Sequence, residues 1–480
     1  MPEHRGGGRP SRGSRTSRPT AADPARRAAW EVLKSVRADD AYANLVLPAV
    51  VVHFSLSARD AAFTTELASG TLRWRGLYDA VLAACVDRSL SRVDAPVLDA
   101  LRLGTHQLLA MRVPTHAAIS TTVDLVRAVG GGRGGGRADA AAGFANAVLR
   151  KVAARDRDAW VAQVAPPAER DLFKHAEVAW SHPAWVVDEL AKALGTAAAG
   201  DELAALLAAD NVPPAVTLVA RPGRAERDEL PGTPTTYSPF GVVLDGGRPA
   251  SVPAVAEGRA AVQDEGSQLV ALALAAADVE GDDRLWVDLC AGPGGKTSLL
   301  AALAAGRDAR VLAVERAHHR AGLVRSALGA DPAGSWGVVT ADGTRPPLRP
   351  GTVDRLLVDA PCTGLGALRR RPEARWRRRP DDLLDLVLLQ RALLGRALDL
   401  VRPGGVVLYA TCSPVLAETS GVVGSAVESR RDTELLDVAG LLASRYGVTD
   451  CAGPLPGTAQ LWPHRHGTDA MFLALLRRTA

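Results

Sequence analysis

The segment from Trp286 to Thr297 constrains the fold of this chain more than any other stretch. It reads Trp-Val-Asp-Leu-Cys-Ala-Gly-Pro-Gly-Gly-Lys-Thr. The apolar run Leu285 to Leu289 predicts a buried strand, and the Ala/Leu-rich run Ser298 to Ala305 predicts a helix. Glycines in the turn between them let the backbone curl tightly and approach a ligand closely, because they have no Cβ. The start of the helix offers free N–H groups and a partial positive charge. Together these features predict a nucleotide-type site on a doubly wound α/β sheet.

The segment differs at one position from each of two common nucleotide-binding loop motifs. A dinucleotide loop requires G-x-G-x-x-G; Gly292 and Gly294 fit it, but the third glycine position is Thr297. A P-loop requires G-x-x-x-x-G-K-[ST], and its end matches from Gly295 onward, but its first glycine position is Cys290. Neither pattern therefore identifies the ligand.

The stretch from Asp288 to Thr297 resembles the S-adenosylmethionine loop of RNA 5-methylcytosine methyltransferases. The resemblance implies S-adenosylmethionine as the cofactor. The loop residues that would bind it are Cys290, Ala291, Gly292, Pro293, Gly294, Gly295 and Lys296.

Length and composition exclude several other classes of protein. A chain of 480 residues with 47% hydrophobic content predicts two to four domains with real cores. No apolar run approaches the ~18 residues of a membrane span, and no apolar stretch follows the basic N-terminus as in a secretory signal. The five cysteines show no C-x-x-C spacing, which argues against a zinc site and a disulfide framework. We therefore expect a cytoplasmic protein without a metal, and the net charge of +4 means that any nucleic-acid surface is local.

The sequence pattern divides the chain into four segments. Residues 1–23 have too little apolar surface to fold and predict a disordered basic tail. Residues 24–158 show helical spacing of apolar side chains and predict an all-α bundle, with a Gly/Arg loop at 130–136. Residues 159–255 predict a small α/β middle domain. Residues 256–480 alternate short apolar runs with helical stretches, which is the βαβ pattern of an open parallel sheet with helices on both faces. The predicted strands of this sheet are Leu285–Leu289, Arg310–Val314, Gly337–Thr340, Arg355–Val358 and Val406–Ala410.

Acidic residues follow two of these strands. Glu315 comes directly after the second strand, where a carboxylate can bind both ribose hydroxyls of a nucleotide. The resembling family usually has Asp at that position. Asp342 follows the third strand, and the resemblance implies that it reaches the adenine ring.

Cysteines follow the last two strands. Asp359 ends the fourth strand shortly before Cys362, and Cys412 follows the fifth. Carbon 5 of cytosine is a poor nucleophile, and a thiolate that adds to carbon 6 turns the ring into an enamine that attacks a sulfonium methyl. A thiol of ordinary pKa, about 8.5, needs help to ionise, and Asp359 is placed to act as an acid near ring nitrogen 3.

Chemistry alone leaves open which cysteine attacks. The Asp-Ala-Pro-Cys and Thr-Cys-Ser pair resembles that of the RNA cytosine methyltransferases, and this implies Cys412 as the nucleophile and Cys362 as the residue that aids product release. In DNA cytosine enzymes the Pro-Cys cysteine attacks, so the reversed assignment is the competing hypothesis.

Resemblance extends over nearly the whole chain. The motifs at 262–268 and 466–472 are similar to the opening and closing motifs of the methyltransferases, and those at 116–120 and 143–151 are similar to pieces of a NusB-type RNA-binding domain. The basic run 369–379 predicts contacts with RNA phosphates. Further basic residues that could meet RNA are Arg26, Arg27, Arg150 and Lys151.

These features resemble the RsmB (Sun/Fmu) family, which methylates small-subunit (16S) ribosomal RNA. The implied fold is an N-terminal all-α NusB-like bundle, a small α/β middle domain and a C-terminal α/β Rossmann-like methyltransferase. The expected partner is RNA, naked or in an assembling subunit, and the expected state is a monomer without a membrane anchor. Three alternatives stay open: a transfer-RNA target, a noncatalytic RNA-binding assembly factor, and an ATPase that uses Gly295 to Thr297 as a Walker remnant.

Overall fold

The computed structural model describes residues 22–130, 135–195, 200–330 and 334–479. The predicted basic tail lies outside the described residues as far as residue 21, and so does the centre of the predicted Gly/Arg loop. The protein has two compact units, one ending at Val164 and one beginning at Ala165.

Helices make up the regular structure of the first unit wherever its residues are described. They are α1 (Pro24–Ala38), α2 (Ala43–His53), α3 (Ala58–Arg73), α4 (Arg75–Cys85), α5 (Ala95–Leu109), α6 (Thr115–Val129), α7 (Gly135–Val152) and α8 (Arg157–Val164). Asp23 caps the N-terminus of α1, because its side chain accepts a hydrogen bond from the backbone N–H of Arg26 at 2.9 Å. Pro24 occupies the first turn, where a missing N–H is tolerated. α5 packs against α1, α3, α4, α6 and α7 and forms the centre of the bundle. The predicted all-α bundle is confirmed.

The second unit starts with helices and a small antiparallel sheet. The helices are α9 (Leu172–Ala179), α10 (Ala184–Leu194) and α11 (Asp201–Asp210). The strands are β1 (Thr217–Ala220), β2 (Thr233–Pro234), β3 (Gly241–Val243) and β4 (Ala260–Val262), in the order β2-β3-β1-β4, with the short helix α12 (Pro253–Ala256) before β4.

A larger sheet follows. Its strands are β5 (Leu285–Asp288), β6 (Arg310–Glu315), β7 (Trp336–Thr340), β8 (Val353–Asp359), β9 (Val401–Thr411), β10 (Thr433–Leu436), β11 (Ala459–Gln460) and β12 (Phe472–Arg478). Its helices are α13 (Glu265–Ala276), α14 (Gly295–Ala305), α15 (His318–Leu328), α16 (Ala374–Arg377), α17 (Asp382–Leu400), α18 (Ser420–Ser429), α19 (Val438–Tyr446) and α20 (Pro463–His466). The strand order is β10-β12-β9-β8-β5-β6-β7, with β11 paired to β12.

The five predicted strands are confirmed, and they run parallel from β9 to β7. The sheet as a whole is not parallel, however, because β12 pairs antiparallel with β9 and β10 pairs antiparallel with β12. The expected open parallel sheet is therefore confirmed for the five predicted strands, and β10 and β12 extend it as antiparallel strands. The closing motif that ends at Phe472 leads directly into an antiparallel strand, which a search for repeating βαβ units does not find.

Side chains of each parallel strand alternate between two apolar cores. Trp286 of β5 packs with α13 and α14 on one face, and its neighbour Val287 packs with α17 on the other. In β9, Leu408 packs in the same core as Trp286, and Val407 packs in the same core as Val287. Strands buried on both faces explain why these runs are continuously apolar.

The basic run 369–379 is largely buried rather than exposed. Arg375 is fully buried, and its guanidinium donates hydrogen bonds to Asn211 Oδ1 at 2.9 Å and to the backbone oxygen of Ser181 at 3.2 Å. Arg370 donates to Asp264 at 2.5 Å and to Asp469 at 3.1 Å. A count of charges along the sequence does not show this, because the partners of these arginines lie far away in the chain.

Replacing the buried Arg375 with alanine should destabilise the second unit by on the order of 3 kcal/mol, since it leaves several buried polar groups without their donor. The free energy of unfolding in urea checks this expectation. Arg379→Ala is the matched control, because Arg379 is exposed in the same run, and its effect should stay within about 0.5 kcal/mol. Equal effects of the two substitutions would contradict the structural role of Arg375.

Candidate active site

The predicted ligand loop lies between the end of β5 and the start of α14. Gly294 caps the helix in the left-handed region with φ 110°, and a Cβ there would lie 2.7 Å from the Cβ of Ala327. At Gly292 a Cβ would lie 2.3 Å from Glu315 Oε2. Gly294 therefore requires glycine, because its φ is positive and its backbone lies directly against α15.

Asp288 braces the base of this loop. It is buried, and its Oδ2 accepts a hydrogen bond from the Thr297 hydroxyl at 2.7 Å. Burial raises the pKa of Asp288 to about 7. This buried hydrogen bond thus joins the end of β5 to the first turn of α14.

Glu315 and Asp342 lie at the strand ends where they were predicted. The carboxylate of Glu315 accepts hydrogen bonds from the backbone N–H groups of Gly292 at 3.0 Å and Ala317 at 2.9 Å, so it contacts the glycine loop directly. Asp342 is exposed, and the hydrogen bonds that its Oδ1 accepts from Thr344 lower the pKa of Asp342.

The two strand-end cysteines come together. The Sγ atoms of Cys362 and Cys412 are 3.4 Å apart, a hydrogen-bond contact between two free thiols. The loops that hold them are also joined through the backbone, because the N–H of Gly366 donates to the carbonyl oxygen of Cys412 at 2.9 Å. Two residues that are far apart in sequence thus form one pair.

Lys296 connects the glycine loop to this pair. Its Nζ lies 2.8 Å from Asp359 Oδ2. Burial disfavours the charged form of Lys296, but the charge and hydrogen bond of Asp359 outweigh it and raise the pKa of Lys296 above its usual value. Lys296 is therefore protonated, and its ion pair links the predicted cofactor loop to Asp359, which lies shortly before Cys362.

The surroundings of the two thiols differ. The hydrogen bond with Cys362 lowers the pKa of Cys412; burial and the negative charge of Asp359 oppose it, and the positive charges of Lys296 and Arg371 support it. The hydrogen bond with Cys412 raises the pKa of Cys362, and burial and the nearby carboxylate of Glu418 add to it. The surroundings thus shift the pKa values of the two thiols in opposite directions.

The other cysteines do not join this pair. Cys290 packs on the apolar core beside the glycine loop, and burial raises the pKa of its thiol well above the usual value. Cys85 and Cys451 are buried in apolar surroundings, in keeping with the interpretation that they only pack.

Sequence reasoning assigned no role to two residues of this site. Gln263 is buried, and neither atom of its amide has a hydrogen-bond partner among the described residues; its Cδ lies 4.0 Å from where a Cβ of Gly295 would be. Glu418 is fully buried between the two cysteine loops. In the sequence, only the positions of Gln263 and Glu418 within motifs pointed to a role in the site. Their contacts are with residues far away in the chain, which a single sequence does not show.

The part of the chain that the structure describes contains no group of three or more His, Cys, Asp or Glu residues that could hold a metal ion. Within the same ranges, no helix has the length and apolarity needed to cross a membrane.

Fold and site together define a Rossmann-like methyltransferase with two adjacent strand-end cysteines. A family model described as 16S rRNA methyltransferase RsmB/F matches residues 273–477, and the NusB family model matches residues 23–154. The chain belongs to the RsmB/F methyltransferase family and has an N-terminal NusB domain.

Individual relatives match over nearly their whole length. The protein Rv1407 of Mycobacterium tuberculosis is 53% identical over 97% of this chain and 99% of its own. Ribosomal RNA small subunit methyltransferase B of Pseudomonas syringae pv. tomato is 31% identical over 95% of this chain and 97% of its own. The solved structure of the protein PH0851 has the same fold, with a TM-score of 0.73 and 22% identity over 96% of this chain and 99% of that one.

The difference between the thiols predicts an order of alkylation. As pH rises, iodoacetamide should modify Cys412 first, at a pH below that of an ordinary thiol, because its pKa is lowered and only the thiolate reacts. Peptide mass spectrometry across a pH series measures both sites. Lys296→Met should shift the Cys412 profile to higher pH, since it removes a positive charge. Modification of Cys362 before Cys412 would contradict the assignment.

Proposed function

We propose that this protein transfers a methyl group from S-adenosylmethionine to carbon 5 of a cytosine in small-subunit ribosomal RNA, with Cys412 as the covalent nucleophile. The observation that supports it best is the pair of cysteines 3.4 Å apart, with Lys296 of the glycine loop among the charges that act on Cys412. Neither ATP hydrolysis nor noncatalytic RNA binding requires a pair of adjacent cysteines.

The loop has the features that S-adenosylmethionine binding requires. The glycine loop packs closely on α15 at Gly294, and the positive end of α14 suits the carboxylate of the methionine moiety. The unpartnered amide of Gln263 next to Gly295 offers a donor and an acceptor to the same moiety. Glu315 and Asp342 are the proposed partners of ribose and adenine. When bound, the cofactor supplies the electrophilic methyl group.

The proposed chemistry begins at Cys412. Its thiolate forms a bond to carbon 6 of cytosine, and the electrons of the 5,6 double bond become available at carbon 5, which takes the methyl group. The proton that ring nitrogen 3 needs comes from the pair of Asp359 and Lys296, because Lys296 holds a proton 2.8 Å from the carboxylate. The methyl–sulfonium bond breaks in this transfer and leaves S-adenosylhomocysteine. A base then removes the carbon 5 proton, the bond between Cys412 and carbon 6 breaks to restore the 5,6 double bond, nitrogen 3 returns its proton, and Cys362 aids release.

The proposed substrate follows from the family. A relative 31% identical is named as a ribosomal RNA small subunit methyltransferase B. The target base would have to leave its stack to reach Cys412. In the NusB domain Arg27 and Arg150 are exposed and suit phosphates, whereas Arg26 donates to Gln107 and Lys151 donates to the backbone of Cys85.

Substituting the two cysteines should have different outcomes. Cys412→Ala should lower methyl transfer to ribosomal RNA by at least about a thousandfold and form no adduct, because the nucleophile is gone. Cys362→Ala should accumulate a protein–RNA adduct that survives denaturing electrophoresis. Cys451→Ala, a buried thiol elsewhere, is the control and should stay active. Full activity of Cys412→Ala, or an adduct that it still forms, would rule the mechanism out.

Removing the amide of Gln263 should weaken cofactor binding. Gln263→Leu keeps the volume but removes both polar atoms, so the dissociation constant for S-adenosylmethionine should rise about tenfold in calorimetry without RNA. Val262→Ala is the matched control, because the neighbouring Val262 is half-exposed and should leave the affinity unchanged. An unchanged constant in Gln263→Leu would show that the amide does not contact the cofactor.

A further inference from the structure

A single buried carboxylate joins the two cysteine loops. Glu418 follows β9 and is fully buried. Its Oε1 accepts hydrogen bonds from the backbone N–H of Thr363 at 2.8 Å and from the Gln390 amide at 2.9 Å. Its Oε2 accepts them from the hydroxyls of Thr363 at 2.5 Å and Ser413 at 2.6 Å. Thr363 and Ser413 are the residues that directly follow Cys362 and Cys412.

The hydrogen bonds of Glu418 use both oxygen atoms of its side chain. Two N–H groups donate to Oε1. The hydroxyls of Thr363 and Ser413 contact Oε2, and their oxygen atoms are also 3.0 Å from each other. These three side chains form a closed triangle that joins the two cysteine loops.

Glu418 also acts on Cys362. The hydrogen bond with Cys412 and burial raise the pKa of Cys362, and the Glu418 carboxylate adds to their effect. A protonated Cys362 is the hydrogen-bond donor that Cys412 needs as a thiolate.

The other contacts of Glu418 fix the same two loops. Its backbone oxygen accepts a hydrogen bond from the Tyr409 hydroxyl at 2.8 Å, which holds it to the end of β9. Gln390 also donates to the backbone oxygen of Pro361 at 2.8 Å, directly before Cys362. The carboxylate thus sits at the centre of a network whose members flank both thiols.

We propose that Glu418 is a positioning residue for both cysteines, which holds their loops at the separation that lets Cys362 keep its proton and donate it in a hydrogen bond to Cys412. The role rests on the proposed function, because it has a purpose only where Cys412 must be a thiolate. Glu418 itself touches neither the substrate nor the cofactor.

The test is the alkylation of Cys412 in Glu418→Gln. The substitution keeps the size and removes the charge, so the alkylation rate of Cys412 at pH 7 should fall about tenfold, while Cys362 becomes reactive at lower pH. Glu428→Gln is the matched control, because it makes the same change at an exposed position of α18. Its melting temperature and its Cys412 profile should both stay close to those of the wild type.

A purely structural role predicts a different result. In that case Glu418→Gln would lower the melting temperature and leave the pH profile of Cys412 unchanged; this outcome overturns the inference. If Glu418→Gln does not fold, Ser413→Ala serves instead, since it loosens the carboxylate on the Cys412 side. Its Cys412 profile should move to higher pH, and an unchanged profile overturns the inference.

Methyl transfer by the wild-type protein is measured beside these variants. Wild-type protein that methylates cytosine through Cys412, with an unaltered thiol profile in Glu418→Gln, refutes the role of Glu418 alone. Wild-type protein that transfers no methyl group to RNA refutes the proposed function, and with it the purpose assigned to Glu418.

Discussion

The parallel pairing of β8 with β9 is the constraint on which the site depends. Their register sets Asp359 opposite Ala410, so both strands end at one edge of the sheet and release their cysteine loops there. A slip of one residue would move one loop by about 3.3 Å and turn its side chains to the opposite face. The contact of 3.4 Å between the sulfur atoms would then be lost. The apolar cores on both faces fix the register, because alternate side chains of each strand pack into different cores.

Two chemically identical thiols acquire different properties from this geometry. Cys412 lies within the influence of Lys296 and Arg371, and Cys362 lies near the carboxylate of Glu418. The positive charge comes from the glycine loop, so the features that suit a cofactor also favour a thiolate at Cys412. Sequence chemistry left the choice between the cysteines open. The assignment of Cys412 as the nucleophile stays a proposal, which the lowered pKa of its thiol supports.

Much of the fold followed from local patterns. Continuous apolar runs predicted the five parallel strands, and the strand-end positions of Glu315, Asp342 and the cysteines followed from them. The antiparallel β12 was missed, because strand direction depends on a partner elsewhere in the chain. The basic run was interpreted as an RNA surface, although Arg375 is buried against Asn211. Long-range partners decide such cases, and a single sequence does not display them.

Bisulfite sequencing of total RNA from cells with and without this gene tests the central claim most directly. The account predicts that one protected cytosine in small-subunit ribosomal RNA loses its protection when the gene is absent and regains it when the gene is restored. Loss of protection at a transfer-RNA cytosine would keep the chemistry and contradict the substrate. Unchanged protection at every cytosine would contradict the claim that this protein makes 5-methylcytosine.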